Sequence, residues 1–442
     1  MSTVLWPPDD IEKPVPSKPG SSELFRPDIL QFIDKTINDL NQDLRTISVD
    51  IHSHPELKFK ELYVHLIPLI MPMTLCQYSH AHDVLTQFME RQGFAVEKKF
   101  HLETAWRATF SNGTGGRTIG INSEMDALPG IGHACGHNLI AIAGVAVACA
   151  LRAAMIEFQV SGKISLLGTP AEEGGSGKIL LLKSGAYQDM DVCLMCHPGP
   201  GPKGGVGFTS TLALKRLFIE YHGRSAHAGI EPWEGINSLD AAVLAYDNIS
   251  ALRQQIRPAH RVHGIIEGRN WAPNDEVTET LPLLIANLDP CGVSYTVRAP
   301  SRNELIDTVK RVTSCFEAAG VASGCRTAFI PQDPDDPVYE LRQNRTLKDG
   351  TPSASTDFGN VTYALPALHP GFAIPTYPNG GNHTADFAKT AILPAAHGAC
   401  LSISIALAAT GIRVLLDDKF FGNVQAAFEN DKKERAMLGS WA

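Results

Sequence analysis

Two stretches of this chain carry side chains that could share a metal ion. The first reads Asp126-Ala-Leu-Pro-Gly-Ile-Gly-His133-Ala-Cys135-Gly-His137-Asn138. Cys135 and His137 stand two apart on a glycine-bearing loop that should open a helix, so a thiolate and an imidazole can face one cation. A core cysteine beside an unrelated loop histidine would leave the same trace. The second stretch, Gly168-Thr-Pro-Ala-Glu172-Glu173-Gly-Gly-Ser-Gly, sets two carboxylates side by side between an apolar run and a glycine-rich turn. Adjacent like charges raise each other's pKa unless a cation or a proton lies between them. One can hold a metal while the other works as a base; a pair of solvated acids at a helix start is the plainer alternative. His197 follows the apolar run Asp191-Val-Cys-Leu-Met-Cys196, and Pro198-Gly199 after it marks the expected strand end. Cys193-Leu-Met-Cys196-His197 also matches c-type haem attachment in letter. Haem is rejected because both cysteines read as part of a buried strand and no export signal precedes them.

The elements that must position these residues alternate. Apolar residues recur at helical spacing from Pro27 to His52, and Val84 to Gln92 reads as another helix. Strand Thr118–Ser123, helix Leu139–Phe158, strand Lys163–Gly168, a helix near Lys178–Ser184 and strand Val192–Met195 then follow in an α/β rhythm. Function in such sheets sits at the carboxyl ends of the strands, where the motifs fall. From about Thr211 to Gly320 the pattern changes to strand Ala213–Tyr221, helix Ile236–Ile256, strands His263–Glu267 and Val293–Val297, and helix Arg302–Ala319. An inserted α+β domain fits that order. After Pro352 the α/β character returns and closes with an apolar helix through Leu401–Ala409. The expected division is a proline-rich arm at 1–25, a discontinuous catalytic domain at 26–210 and 322–442, and an inserted domain at 211–321.

Bulk properties set the class. The chain has 442 residues, 44% hydrophobic and 19% charged, enough apolar material for one large or two ordinary domains. A net charge of −9 with no Lys/Arg cluster argues against nucleic acid. Nine cysteines without regular spacing read as free thiols of a reducing compartment. Met1–Asp10 lacks the basic and apolar regions of a secretory signal, so a cytoplasmic protein is expected. The apolar run Leu62–Cys76 falls short of the roughly 18 residues a span needs and contains Pro68 and Pro72, so no membrane partner is expected.

Taken together, Met125-Asp126-Ala-Leu-Pro129, His133-Ala-Cys135-Gly-His137-Asn138, Pro170-Ala-Glu172-Glu173-Gly174, Cys196-His197-Pro198, His222-Gly-Arg-Ser-Ala-His227-Ala-Gly and Asn382-His383-Thr384 resemble, in order, the motifs of M20 metallopeptidases. Within that family the chain is similar to the aminoacylase-1-like (peptidase M20 domain-containing protein 2) subgroup, related to bacterial aminobenzoyl-glutamate hydrolases and plant auxin-conjugate hydrolases. The similarity runs from roughly His52 to Ala408. It implies a zinc-peptidase-like α/β catalytic domain with an inserted ferredoxin-like α+β lid that also dimerises. By the same resemblance Cys135, His137, Glu173, His197 and His383 are metal ligands, Glu172 the general base, and Asp126 a support behind the ligands. His227 would polarise the scissile carbonyl in a neighbouring subunit's site, and Arg298 of Tyr295-Thr-Val-Arg298-Ala-Pro would meet the substrate carboxylate. Two divalent ions are implied; thiolate, imidazole and carboxylate suit zinc, and manganese is compatible with such a mixed set. The expected reaction is hydrolysis of an amide in a small N-acyl amino acid or dipeptide, of β-alanyl-lysine type, by a homodimer.

Three stretches depart from the family: insertions at about 62–79 and 275–288, and a segment between Tyr339 and Ser355 too short for the helix relatives carry. Retained intron sequence, with a wrongly removed coding segment before Ser355, accounts for them; genuine rim loops are the alternative. These departures leave open a metal-binding homodimer without turnover, or an amidohydrolase of a specialised amide metabolite.

Overall fold

The computed structural model describes residues 25–57, 79–208, 211–227, 229–267, 291–330 and 355–439. Apart from Phe25, Ser79 and Ser355, the proposed arm, both insertions and the short segment lie outside these residues. The chain divides into two compact units, 1–209 with 360–442, and 210–359.

In the first unit the helical periodicity after Pro27 becomes two helices, Pro27–Asp39 and Asn41–Ser53, which bury Ile29, Ile33, Ile37, Leu44, Ile47 and Ile51. They pack on helix His137–Glu157, which also meets strands Thr118–Glu124 and Gly162–Thr169 and helix Pro394–Leu416. His137–Glu157 is apolar all round because it is enclosed. It is long and apolar enough to cross a membrane, and 83% of its apolar window is buried inside the fold; for Pro394–Leu416, which passes the same test, the share is 50%.

The six-stranded sheet beneath runs in the order Ala95–Lys98, Trp106–Asn112, Gly162–Thr169, Thr118–Glu124, Val192–Leu194, Ala367–Leu368. Its last four strands are parallel and the first two are added antiparallel. Strand Thr118–Glu124 thus lies between the two strands that lead to Glu172–Glu173 and to His197. Pro198-Gly199 does not end extended structure, as the sequence had suggested. His197–Pro200 is itself a strand, paired in parallel with Gly371–Ile374 in a separate three-stranded sheet. Proline is tolerated there because this strand is at the sheet's edge.

The second unit is a four-stranded antiparallel sheet in the order Arg326–Ile330, Ala213–His222, Cys291–Ala299, Arg261–Glu267. Helix Ser238–Leu252 follows the first of these strands in the chain, and helix Arg302–Ser323 follows Cys291–Ala299. That is the βαββαβ order of a ferredoxin-like fold. Cys291, Val293, Tyr295, Val297 and Ala299 alternate inward and form the core with Ile219, Tyr221, Val312 and Phe316. The sheet extends past the limit of residue 321 drawn from sequence, since Arg326–Ile330 is its edge strand. Its weakly buried residues give no strong period-2 pattern.

Candidate metal centre

Seven of the nine residues singled out from sequence come together in the first unit, six of them beyond the carboxyl ends of three neighbouring strands and His383 in the turn before helix Ala385–Ala391. Strand Thr118–Glu124 delivers Asp126. Gly136, with φ +82°, turns the chain into helix His137–Glu157, so Cys135 and His137 sit at its start. A Cβ on Gly136 would lie 2.6 Å from Pro198 Cγ, so only glycine fits this left-handed turn packed against the His197 strand. Glu172 and Glu173 follow strand Gly162–Thr169 on a loop where Ala171 also has positive φ, +60°. His383 is left-handed too, at φ +66°. Its backbone N–H donates to Ala134 O (2.8 Å), and the Asn382 side chain donates to Pro198 O (3.1 Å). Non-glycine residues pay about 1–3 kcal/mol for such backbone, and this cost concentrates at functional sites.

Cys135 Sγ lies 3.4 Å from His197 Nε2. Donor atoms of Cys135, His137 and His197 fall within 4.8 Å of one another, and so do those of Cys135, Glu173 and His383, and of His137, Glu172 and Glu173. Asp126 stands behind them, with Oδ1 3.1 Å from His137 Nδ1 and Oδ2 accepting from the Glu173 backbone N–H at 3.0 Å. His137 is thereby oriented through one nitrogen and presents the other, the usual arrangement behind a metal-binding imidazole. That other nitrogen, Nε2, and Glu173 Oε1 are shielded from solvent and make no hydrogen bond. Buried polar atoms so placed are costly unless something binds them. Donor types and orphaned atoms both fit divalent cations.

The protein's own charges prepare the donors. Burial alone would push the Cys135 thiol up, yet the charge of His197 and hydrogen bonds with His137, His197 and His383 bring it down to about 6. Burial likewise opposes ionisation of Glu173 and Asp126, but His383 and His137 hold Glu173 low, and His137 holds Asp126 low. His383, which faces the Cys135 thiol and has its Nε2 3.4 Å from Glu173 Oε1, rises to about 10. The centre is strongly attractive to positive charge.

Three residues that the sequence reading did not single out belong here. Glu124 is fully buried, with Oε2 3.4 Å from His137 Nε2, and the equally buried Lys178 Nζ lies 2.5 Å from its Oε1. His369 is buried with its ring 6.0 Å from that of His197. Glu124 stands two residues before Asp126, and Lys178 opens the helix after the glycine-rich turn. Those positions were the only signals available.

His227 and Arg298 belong to the second unit. His227 is exposed, its Nδ1 accepting from the Gly229 N–H at 3.1 Å. Arg298, on the strand Cys291–Ala299, donates from Nη1 to Ser355 Oγ at 2.6 Å. Cys193 and Cys196 are buried, and burial raises both thiols.

Residues 120–386 match the sequence profile of peptidase family M20/M25/M40. The chain belongs to this peptidase family and is a hydrolase of amide bonds. Among curated proteins it is similar to Xaa-Arg dipeptidase of Mus musculus, 36% identical over 97% of this chain and 98% of the relative, and to that of Homo sapiens, 35% identical over 91% and 93%. Among solved structures it shares its fold with a dinuclear metal-binding peptidase of family M20 from Bacillus subtilis. That match has a TM-score of 0.53 and 17% identity, over 84% of this chain and 99% of that one.

Proposed function

We propose that this protein is a two-metal dipeptidase that cleaves small dipeptides with a basic carboxy-terminal residue. The observation that carries the metal reading is that Cys135 Sγ belongs to two three-donor groups at once, with His137 and His197 on one side and Glu173 and His383 on the other. A thiolate common to both groups suits a bridged pair of ions, and zinc suits the donor set, with manganese compatible. When bound, such a pair acidifies water and stabilises negative charge on the carbonyl oxygen of the substrate. Glu172, adjacent to Glu173 and outside both groups, accepts the proton of the attacking water and returns it to the leaving amine. Asp126 fixes the tautomer and tilt of His137. Arg298 is assigned to the substrate carboxylate and His227 to the scissile carbonyl within a homodimer. The basic-residue preference rests on similarity to the two Xaa-Arg dipeptidases, and β-alanyl-lysine and Xaa-Arg dipeptides are the substrates of choice.

Amine release from a panel of dipeptides and N-acyl amino acids by zinc- and manganese-loaded protein tests this reading. Preference for a carboxy-terminal Arg or Lys is expected; activity confined to acyl amino acids or to long peptides excludes it. Glu172→Gln should keep its metal and lose about 10²-fold to 10⁴-fold in kcat. Cys135→Ala should instead lose metal, and full metal content in that variant would remove Cys135 from the ligand set.

A further inference from the structure

We propose that Asp50, His54 and His80 form a second, peripheral site for a divalent transition-metal ion of the zinc class. None of the three belongs to the centre described above. Asp50 lies in the last turn of helix Asn41–Ser53, His54 caps that helix, and His80 is the first residue of helix His80–Arg91. A single oxygen, Asp50 Oδ1, lies 3.1 Å from His54 Nδ1 and 3.1 Å from His80 Nε2, and the three donor atoms all fall within 4.8 Å of one another. Zinc bonds of about 2.0–2.1 Å in a tetrahedron set ligand atoms roughly 3.3 Å apart. The two separations to Asp50 therefore need to change by only a few tenths of an ångström, and the two ring nitrogens already lie within 4.8 Å of each other. The two rings lie close together, with centroids 4.2 Å apart and planes at 36°.

Ordinary hydrogen bonding leaves one donor of the trio unused. His80 Nε2 is shielded from solvent and makes no hydrogen bond, although it lies 3.1 Å from a carboxylate oxygen. His54 Nδ1 lies 2.9 Å from the Asp50 carbonyl oxygen, so metal binding there replaces that contact and requires the ring's proton to sit on Nε2 instead. Two imidazoles and a carboxylate suit zinc, cobalt, nickel or copper better than magnesium or calcium, which prefer all-oxygen sites. The side chains are 38%, 37% and 29% exposed for His54, Asp50 and His80, so the trio lies at the surface even though His80 Nε2 itself is shielded.

Occupancy would pin the end of one helix to the start of the next across the chain between residues 54 and 80. That chain includes Glu56, whose backbone oxygen accepts from the Ala127 N–H at 2.8 Å and whose carboxylate accepts from the His80 and Ala81 N–H groups at 2.6 and 2.9 Å. The ion would therefore brace the surroundings of Glu56, which abuts the Asp126 loop, without touching the catalytic donors.

Bound cobalt per chain, counted by elemental analysis after equilibration of the full-length protein with excess Co2+, tests the proposal. Wild type should hold one equivalent more than His80→Gln and Asp50→Asn, and both variants should keep wild-type circular dichroism and hydrolase activity. Equal cobalt in wild type and both folded variants overturns the site. A measurement that needs no variant is diethyl pyrocarbonate labelling of wild type, mapped by mass spectrometry. Added Co2+ should protect His54, and unchanged labelling of His54 overturns the proposal.

Discussion

Burying an ammonium group costs several kcal/mol unless a counter-charge with good geometry offsets it, and Glu124 supplies such a charge to Lys178. Neither side chain has any solvent exposure, and their charged atoms are 2.5 Å apart. Removing one partner leaves the other's buried charge with less compensation. Lys178→Met is therefore expected to destabilise the protein by about 3–5 kcal/mol, read from urea denaturation. Lys178→Met with Glu124→Gln should recover much of the loss, because the stranded charge is then gone. A double variant no better than Lys178→Met would show that the ammonium's packing, not its charge, matters. The same contrast explains what could be read at this scale from sequence. Cys135, His137, Glu172, Glu173 and His197 sit in short motifs whose adjacent residue types already imply chemistry, whereas Glu124, Lys178 and His369 acquire meaning only from burial beside those residues. His227 and Arg298 were assigned by resemblance alone, and nothing in their local contacts assigns them a role.

Among the elements, long amphipathic or enclosed helices were legible because their apolar residues repeat over three or more turns. Pro27–Ser53, His137–Glu157 and Arg302–Ser323 all begin or end within a few residues of the periodic pattern. Short strands were not. Ala95–Lys98 has largely exposed side chains, and the strand His197–Pro200 contains Pro-Gly, which normally signals a turn. Register with Gly371–Ile374 makes it a strand, and no local rule reports a partner some 170 residues away. Helix contacts also carry a pH dependence. His397, in helix Pro394–Leu416, is buried with Nε2 2.8 Å from Asn41 Oδ1, and burial together with the charge of Arg45 lowers it from 6.5 to about 4. Between those values the unfolded chain binds a proton that the folded chain refuses, so stability rises with pH across the window. The contribution is complete above pH 6.5 and lost as pH falls toward 4. At pH 5 the loss is about 2 kcal/mol. His397→Gln should flatten the difference in urea midpoint between pH 7 and pH 5, and an equally steep variant would place the acid sensitivity elsewhere.

At the scale of the whole molecule, the two units differ in how their chains are organised. The first is assembled from 1–209 and 360–442, so strand Ala367–Leu368 and helix Pro394–Leu416 must return to a sheet and a helix laid down far earlier. Non-local closure of that kind carries an entropic cost before its contacts form. The second unit is one continuous stretch with a separate core in which Tyr221, Tyr295 and Phe316 are the largest fully buried side chains. Its caps are local as well: Asn237 accepts from the Leu239 N–H and Ser301 from the Glu304 N–H at the starts of its two helices. A segment that contains its own sheet, helices, caps and core meets the physical requirements of an independent folding domain. Residues 210–359 expressed alone should accordingly give a folded species with a single cooperative urea transition. Tyr295→Ala in that fragment should lower its stability by about 3–5 kcal/mol or unfold it, since it empties the space between strand Cys291–Ala299 and Phe316. A fragment without cooperative unfolding, or one indifferent to Tyr295→Ala, would mean that this core is completed by the rest of the chain.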